Sequence, residues 1–126
     1  MSEAISSLME RKVWVIDMDD TIADVEGVFA GKGLSWAPVV EPNRTVVGVI
    51  SAADLLQFHA QGRDPTAMRA WQLCSYKPIT VRPDTPVSEV ARQMVERKIH
   101  HVVVTDNGDI AGVVSSLDFV RTFVRE

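Results

Sequence analysis

Two strings of this chain bring together groups that could hold a ligand. They are Gly48-x-x-Ser51-x-x-Asp54 and Gly112-x-x-Ser115-x-x-Asp118. A hydroxyl and free N–H groups at a helix start suit a phosphate. A carboxylate one turn later can accept both hydroxyls of a ribose. The same Ser-x-x-Asp spacing also makes a capping box, which closes a helix with no ligand at all. The three histidines, His59, His100 and His101, have neither a nearby cysteine nor a helix-spaced partner. Adjacent histidines on a strand point to opposite faces, so the spacing supplies no metal set. Nothing in the sequence supports a Ser–His–Asp nucleophile.

The elements that must position these groups occur twice. Placing Ser51 on Ser115 also places Gly48 on Gly112 and Asp54 on Asp118. One residue fewer in the second turn then sets "DTIADVEGVFAGKGL" (20–34) on "TPVSEVARQMVERKI" (85–99), and "VWVIDMD" (13–19) on "PITVRPD" (78–84). Each unit reads strand, helix, strand, strand, helix. Val87, Val90, Ala91, Met94 and Val95 recur at helical spacing, as do Ile22, Val25 and Phe29. Asp106-Asn107-Gly108-Asp109 is a strong hairpin turn, with Pro42-Asn43 as its counterpart. Ser51 and Ser115 stand where helix N-caps belong, and Leu117, Val120 and Val124 continue a helix face. A short helix is expected around Ala67–Leu73. The repeats divide the chain as 1–60 and 61–126.

The totals bound what such a protein does. At 126 residues with 46% hydrophobic and 24% charged, the chain has the balance of one ordered globular module. A formal net charge of −4, no aromatic-basic stripe and an ending, "RTFVRE", too short for a basic patch speak against nucleic acid and anionic membrane as partners. No apolar run approaches the roughly 18 residues of a membrane span. The opening "MSEAISSLMERK" does not read as a signal peptide. Cys74 is the only cysteine, so no intrachain disulfide forms, which fits a reducing, cytoplasmic setting.

The ordered succession, seen twice, resembles a tandem pair of cystathionine-β-synthase (CBS) domains, a Bateman module. "KPITVRPDTPVSEVARQMVERKIHHVVVTDNGDIAGVVSSLDFV" carries the resemblance most fully. The first repeat departs from it, with Met18 where the second has Pro83, while "GLSWAPVV" and "GVISAADL" fit. The resemblance implies an α+β fold of two β-α-β-β-α repeats about a pseudo-twofold axis, pairing into a homodimer. It implies a regulatory ligand-binding module rather than an enzyme, sensing AMP, ADP, ATP or S-adenosylmethionine in clefts between the repeats, with no catalytic cofactor. It assigns phosphate and ribose contacts to Ser51, Asp54, Ser115 and Asp118. The base would lie against Ile79, Thr80 and Val81 with Ile99, His100 and His101, or against Trp14, Val15 and Ile16 with Leu34, Ser35, Trp36 and Ala37. Each cleft would join the Ser/Asp pair of one repeat to the wall of the other, with His101 beside a phosphate. On that plan the Thr80/His101 cleft binds phosphates better, more weakly as pH rises through the histidine's titration. The signal would pass to an effector protein. The alternative is a structural dimerisation module with empty clefts.

A second resemblance competes for one loop. "VWVIDMDDT" (13–21) resembles the nucleophile loop of haloacid dehalogenase-type phosphatases, which would make Asp17 the nucleophile and Asp19 the acid and base beside magnesium. In the repeat register, however, Asp17 falls on Arg82 and Asp19 on Asp84. The aspartates then mark a strand-to-helix turn, with Asp20 or Thr21 at the helix start. Hairpins in place of successive βαβ units also count against that family's parallel sheet.

Overall fold

The computed structural model describes residues 3–76 and 78–124. The outer limits of the two repeats, and Arg125 and Glu126 of the basic ending, lie outside the described residues. Two compact units form. One is Trp14–Pro78; the other joins the residues up to Val13 to those from Ile79 onward. Repeat and unit therefore differ in their lead-in segments: 61–78 packs with the first repeat, and the residues before Trp14 pack with the second.

In the Trp14–Pro78 unit the order is β1 (Ile16–Asp17), α1 (Ile22–Lys32), β2 (Trp36–Val40), β3 (Val46–Ser51), α2 (Ala52–Ala60), α3 (Ala70–Leu73) and β4 (Ser75–Tyr76). The sheet runs β1-β2-β3-β4, parallel only between β1 and β2. Thr21 caps α1 through a reciprocal box with Asp24, and Gly33 ends it at a left-handed φ of 67° that suits glycine. The expected stripe Ile22, Val25 and Phe29 is buried, with Ile16, Val39, Ile50 and Phe58 in the same core. The joint near Ala67 is a turn, its N–H donating to Asp64, so only Ala70–Leu73 is helical. Cys74 is buried there, and burial pushes its thiol pKa up, so it behaves as a packing group.

The other unit holds β5 (Thr80–Val81), α4 (Val87–Arg97), β6 (His101–Asp106), β7 (Asp109–Ser115) and α5 (Ser116–Val124), its sheet ordered β5-β6-β7. Asn107 and Gly108 both take positive φ, 53° and 89°, which matches the twist of a tight hairpin. The 3₁₀ turn Ile5–Ser7 lies in this unit; its Ile5 N–H donates to the Thr85 carbonyl at 2.7 Å, and Ile5 is fully buried. Glu10 and Val113 exchange N–H···O bonds at 2.8 and 3.0 Å along the β7 edge.

Those lead-ins explain the glycine of each Gly-x-x-Ser-x-x-Asp string. A Cβ on Gly48 would stand 2.5 Å from the Ser75 carbonyl oxygen of β4. A Cβ on Gly112 would stand 2.8 Å from the Glu10 carbonyl oxygen and from the Met9 sulfur. Glycine is there because another backbone passes.

Two helix faces differ from the sequence reading. Val87, Val90 and Met94 of α4 are buried, but Val95 is 78% exposed. On α5, Leu117, Val120 and Val124 are exposed, and Phe119 instead packs partly on the core. Five of the nine residues of this short helix are apolar, and the core takes only part of that face, at Phe119.

Candidate functional site

Each Ser/Asp string forms a corner where a strand turns into a helix. At the first, Ser51 ends β3 and caps α2. The Asp54 N–H donates to Ser51 Oγ at 3.1 Å, and the Ser51 N–H donates to Asp54 Oδ2 at 2.8 Å. The Ala52 N–H donates to the Ser35 carbonyl at 2.9 Å. At the second, the matching bonds join Asp118 N–H to Ser115 Oγ at 3.4 Å and Ser115 N–H to Asp118 Oδ2 at 2.8 Å. The Ser116 N–H donates to the His100 carbonyl at 3.0 Å. Both are closed capping boxes. Each helix start keeps the N–H of its second residue, Ala53 or Leu117, for another acceptor. The box uses each serine oxygen only as an acceptor and each aspartate only through Oδ2, so the hydroxyl proton and Oδ1 take no part in it. One hydroxyl, one N–H and one carboxylate oxygen can meet a phosphate and a ribose. At Asp118 that Oδ1 already faces Arg121 at 3.5 Å.

The wall residues sort by side-chain exposure. Ile16 and Ala37 are fully buried and Val81 nearly so; these side chains are core, and only their backbones are available to a base. Leu34, Ile79 and Ile99 are half-buried against the two cores. The Ile79 carbonyl accepts from the Val103 N–H at 3.2 Å. Trp14, Ser35, Thr80 and His100 are exposed, and Val15 and Trp36 half-buried.

Strand register brings parts of wall and corner together inside each unit. Trp36 stands opposite Ser51, and His101 opposite Ser115. His101 is half-buried, and burial foremost, then His100, lowers its pKa, while Asp118 acts in the opposite sense. It is mostly neutral at pH 7, with one N–H to donate. Sequence reasoning passed over one group at the tryptophan wall. The Lys32 ammonium sits over the Trp14 ring, 4.3 Å from its centroid. Its position at the last turn of α1 was legible; its contact was not.

The acidic loop closes on itself. The Asp17 N–H donates to Asp20 Oδ2 at 3.2 Å, and the Asp19 N–H to Asp17 Oδ1 at 3.1 Å. Burial first, then its acidic neighbours, raises the Asp20 pKa against the lowering effect of its bond from Asp17. Thr21, rather than Asp20, is the helix cap.

The family model for the CBS domain matches residues 5–60 and 70–125. An uncharacterized protein of Methanopyrus kandleri is 25% identical over 122 residues, spanning 95% of this chain and 62% of the relative. The chain spans 62%, 36% and 46% of the length of three of the curated relatives it matches. The CBS domain of a bacterial CNNM/CorC family Mg²⁺ transporter, solved with ATP, superposes with a TM-score of 0.88 at 23% identity, covering 98% of this chain and 89% of that one. CBSX2 in complex with AMP gives 0.83 at 23%, covering 98% and 97%. A CBS domain pair with 5′-methylthioadenosine and S-adenosylmethionine gives 0.84 at 22%, covering 95% and 98%. These likenesses establish an α+β fold of paired repeats. Among the described residues no helix is long and apolar enough to cross a membrane.

Proposed function

Since the chain belongs to the CBS-domain family and carries two copies of the domain, we propose that it is a regulatory module binding an adenosine-containing ligand: AMP, ADP, ATP or S-adenosylmethionine. The observation that carries this reading is the corner built twice, with Ser51 and Ser115 each keeping a hydroxyl and a helix-start N–H for a ligand, and Asp54 a carboxylate oxygen that at Asp118 is shared with Arg121. Domains of the same fold solved with AMP, ATP and S-adenosylmethionine support the choice of ligand class. Base contacts come from the walls at Thr80, Val81, Ile99 and His101, and at Trp14, Val15, Leu34 and Trp36, with buried members contributing backbone. The module works without a catalytic cofactor in a cytoplasmic setting. Regulation requires that the ligand bind one of two states better, since equal affinity shifts nothing. The effect then passes to an effector protein.

Calorimetry with AMP, ADP, ATP and S-adenosylmethionine, followed by the same titrations on Asp54→Ala and Asp118→Ala, tests this. Binding that one or both substitutions abolish is the expected result. No binding of any of the four at millimolar concentration sinks the reading.

The exposed apolar side of α5, with Leu117, Val120, Phe123 and Val124 between 48% and 77% exposed, favours a homodimer as well. Light scattering that gives a monomer mass at micromolar concentration contradicts it. The phosphatase reading draws no support from the self-closed Asp17–Asp20 loop. Asp17→Asn is expected to leave ligand binding unchanged, and magnesium-dependent phosphate-ester turnover lost in that variant would reverse the assignment.

A further inference from the structure

Lys32 and Trp14 form an aromatic-cation pair at the same end of the sheet as Trp36 and Ser51. Parallel pairing sets Ile16 of β1 opposite Val39 of β2, which places the residues before Ile16 level with the start of β2. Antiparallel pairing sets Trp36 opposite Ser51. Lys32 belongs to the last turn of α1, and the chain returns to this edge through Gly33 at a left-handed φ. The ammonium comes to 4.3 Å from the centre of the Trp14 ring, which is 41% exposed. Among the described residues Lys32 meets no carboxylate within ion-pair distance. An indole face holds a cation without neutralising it. The charge is thus fixed in place and still open to an anion.

The second repeat lacks this arrangement. Arg97 occupies the position of Lys32 and is exposed, but Ile79 stands where Trp14 does and has no ring to hold it. The titratable residue opposite Ser115 there is His101, half-buried and lowered in pKa.

We propose that Lys32, held by Trp14, is the anion-selecting residue of the tryptophan wall, so that this wall prefers a phosphorylated adenosine to the bare nucleoside. The assignment rests on the adenosine-binding reading above. It also reverses the expectation that the Thr80/His101 wall is the better phosphate site. A pinned ammonium offers a full charge to a phosphate at neutral pH, where a neutral imidazole offers a single N–H. The pair further explains how an acidic chain can hold an anion: one cation is placed locally instead of by net charge.

The test uses the full chain and calorimetry with adenosine, AMP and ATP. Lys32→Met is expected to weaken AMP and ATP at the affected site by about tenfold. Adenosine should stay within about twofold, and Lys32→Arg should restore most of the phosphate preference. Arg97→Met, the unpinned counterpart, should change AMP binding by less than about twofold. If AMP affinity is unchanged in Lys32→Met, or falls equally with adenosine, or falls as much in Arg97→Met, Lys32 does not select the anion. Wild-type protein that binds none of the three sinks the adenosine reading and this proposal together; wild-type binding with an unaffected Lys32→Met sinks only this one.

Discussion

The corner at Ser51 and the corner at Ser115 are made of the same residues in the same order, yet they are set in different ground. Around Ser51 the helix that follows is anchored: Leu55 and Phe58 of α2 are buried, Phe58 at 1% exposure. Around Ser115 the helix that follows has no fully buried residue and turns four large apolar side chains outward. The cap is shorter at the first, 3.1 Å against 3.4 Å. The neighbouring wall carries a tryptophan pair and a pinned lysine at the first, a half-buried histidine at the second. A repeated motif thus preserves the local hydrogen bonds, while its packing and charge are free to diverge.

The largest expected effect breaks the anchoring contrast. Phe58→Ala should cost about 3–5 kcal/mol by urea unfolding, because the ring fills a closed core. Phe123→Ala on α5 should cost less than about 0.5 kcal/mol, its ring being 67% exposed. Equal losses would mean that α5 is covered in solution, and a concentration-dependent midpoint would identify a second copy as the cover.

Next come the two glycines. Gly48→Ala meets the Ser75 backbone oxygen, which has little freedom to move, and should cost about 3 kcal/mol. Gly112→Ala meets the Glu10 backbone together with the flexible Met9 side chain, and about 1–2 kcal/mol is expected. Thermal melts of both variants decide the order. If the two tolerate alanine equally, the lead-in segments do not hold these edges.

The caps differ by less. Ser51→Ala should lose about 1 kcal/mol and Ser115→Ala about half that, because the longer cap bond at Ser115 is the weaker one. A larger loss at Ser115 would contradict the ranking.

The smallest effect is in pH. The folded state lowers the His101 pKa from 6.5, so folding favours the neutral ring. The stability this gives is complete above the unfolded value and is lost as pH falls through the folded one. His101→Gln should therefore flatten the stability profile below about pH 6.5 and leave it unchanged above 7. His100 and Asp118 face the same ring with opposing effects, so Asp118→Asn should steepen the acid loss. Any pH dependence of phosphate binding through His101 moves into this acid window too.

Much of this was legible in the chain. The offset between Ser51 and Ser115 displayed the repeat. Asn107-Gly108 announced a turn that needs two positive φ angles, and Ser-x-x-Asp announced a cap, because such interactions lie within four residues of each other. The stripe Ile22, Val25 and Phe29 gave the buried face of α1 by its period. Tertiary structure decided the rest. Only packing shows that Gly48 and Gly112 yield to a passing backbone, since the residues they touch belong to distant lead-in segments. Only packing leaves Val95 and Leu117 in solvent, because apolar spacing marks candidate faces and the sheet selects one of them. Lys32 reaches Trp14 across 18 residues of chain, a contact that no local period encodes. What the sequence determined was the short-range hydrogen bonding; what the fold decided was which backbones, faces and charges came to lie beside it.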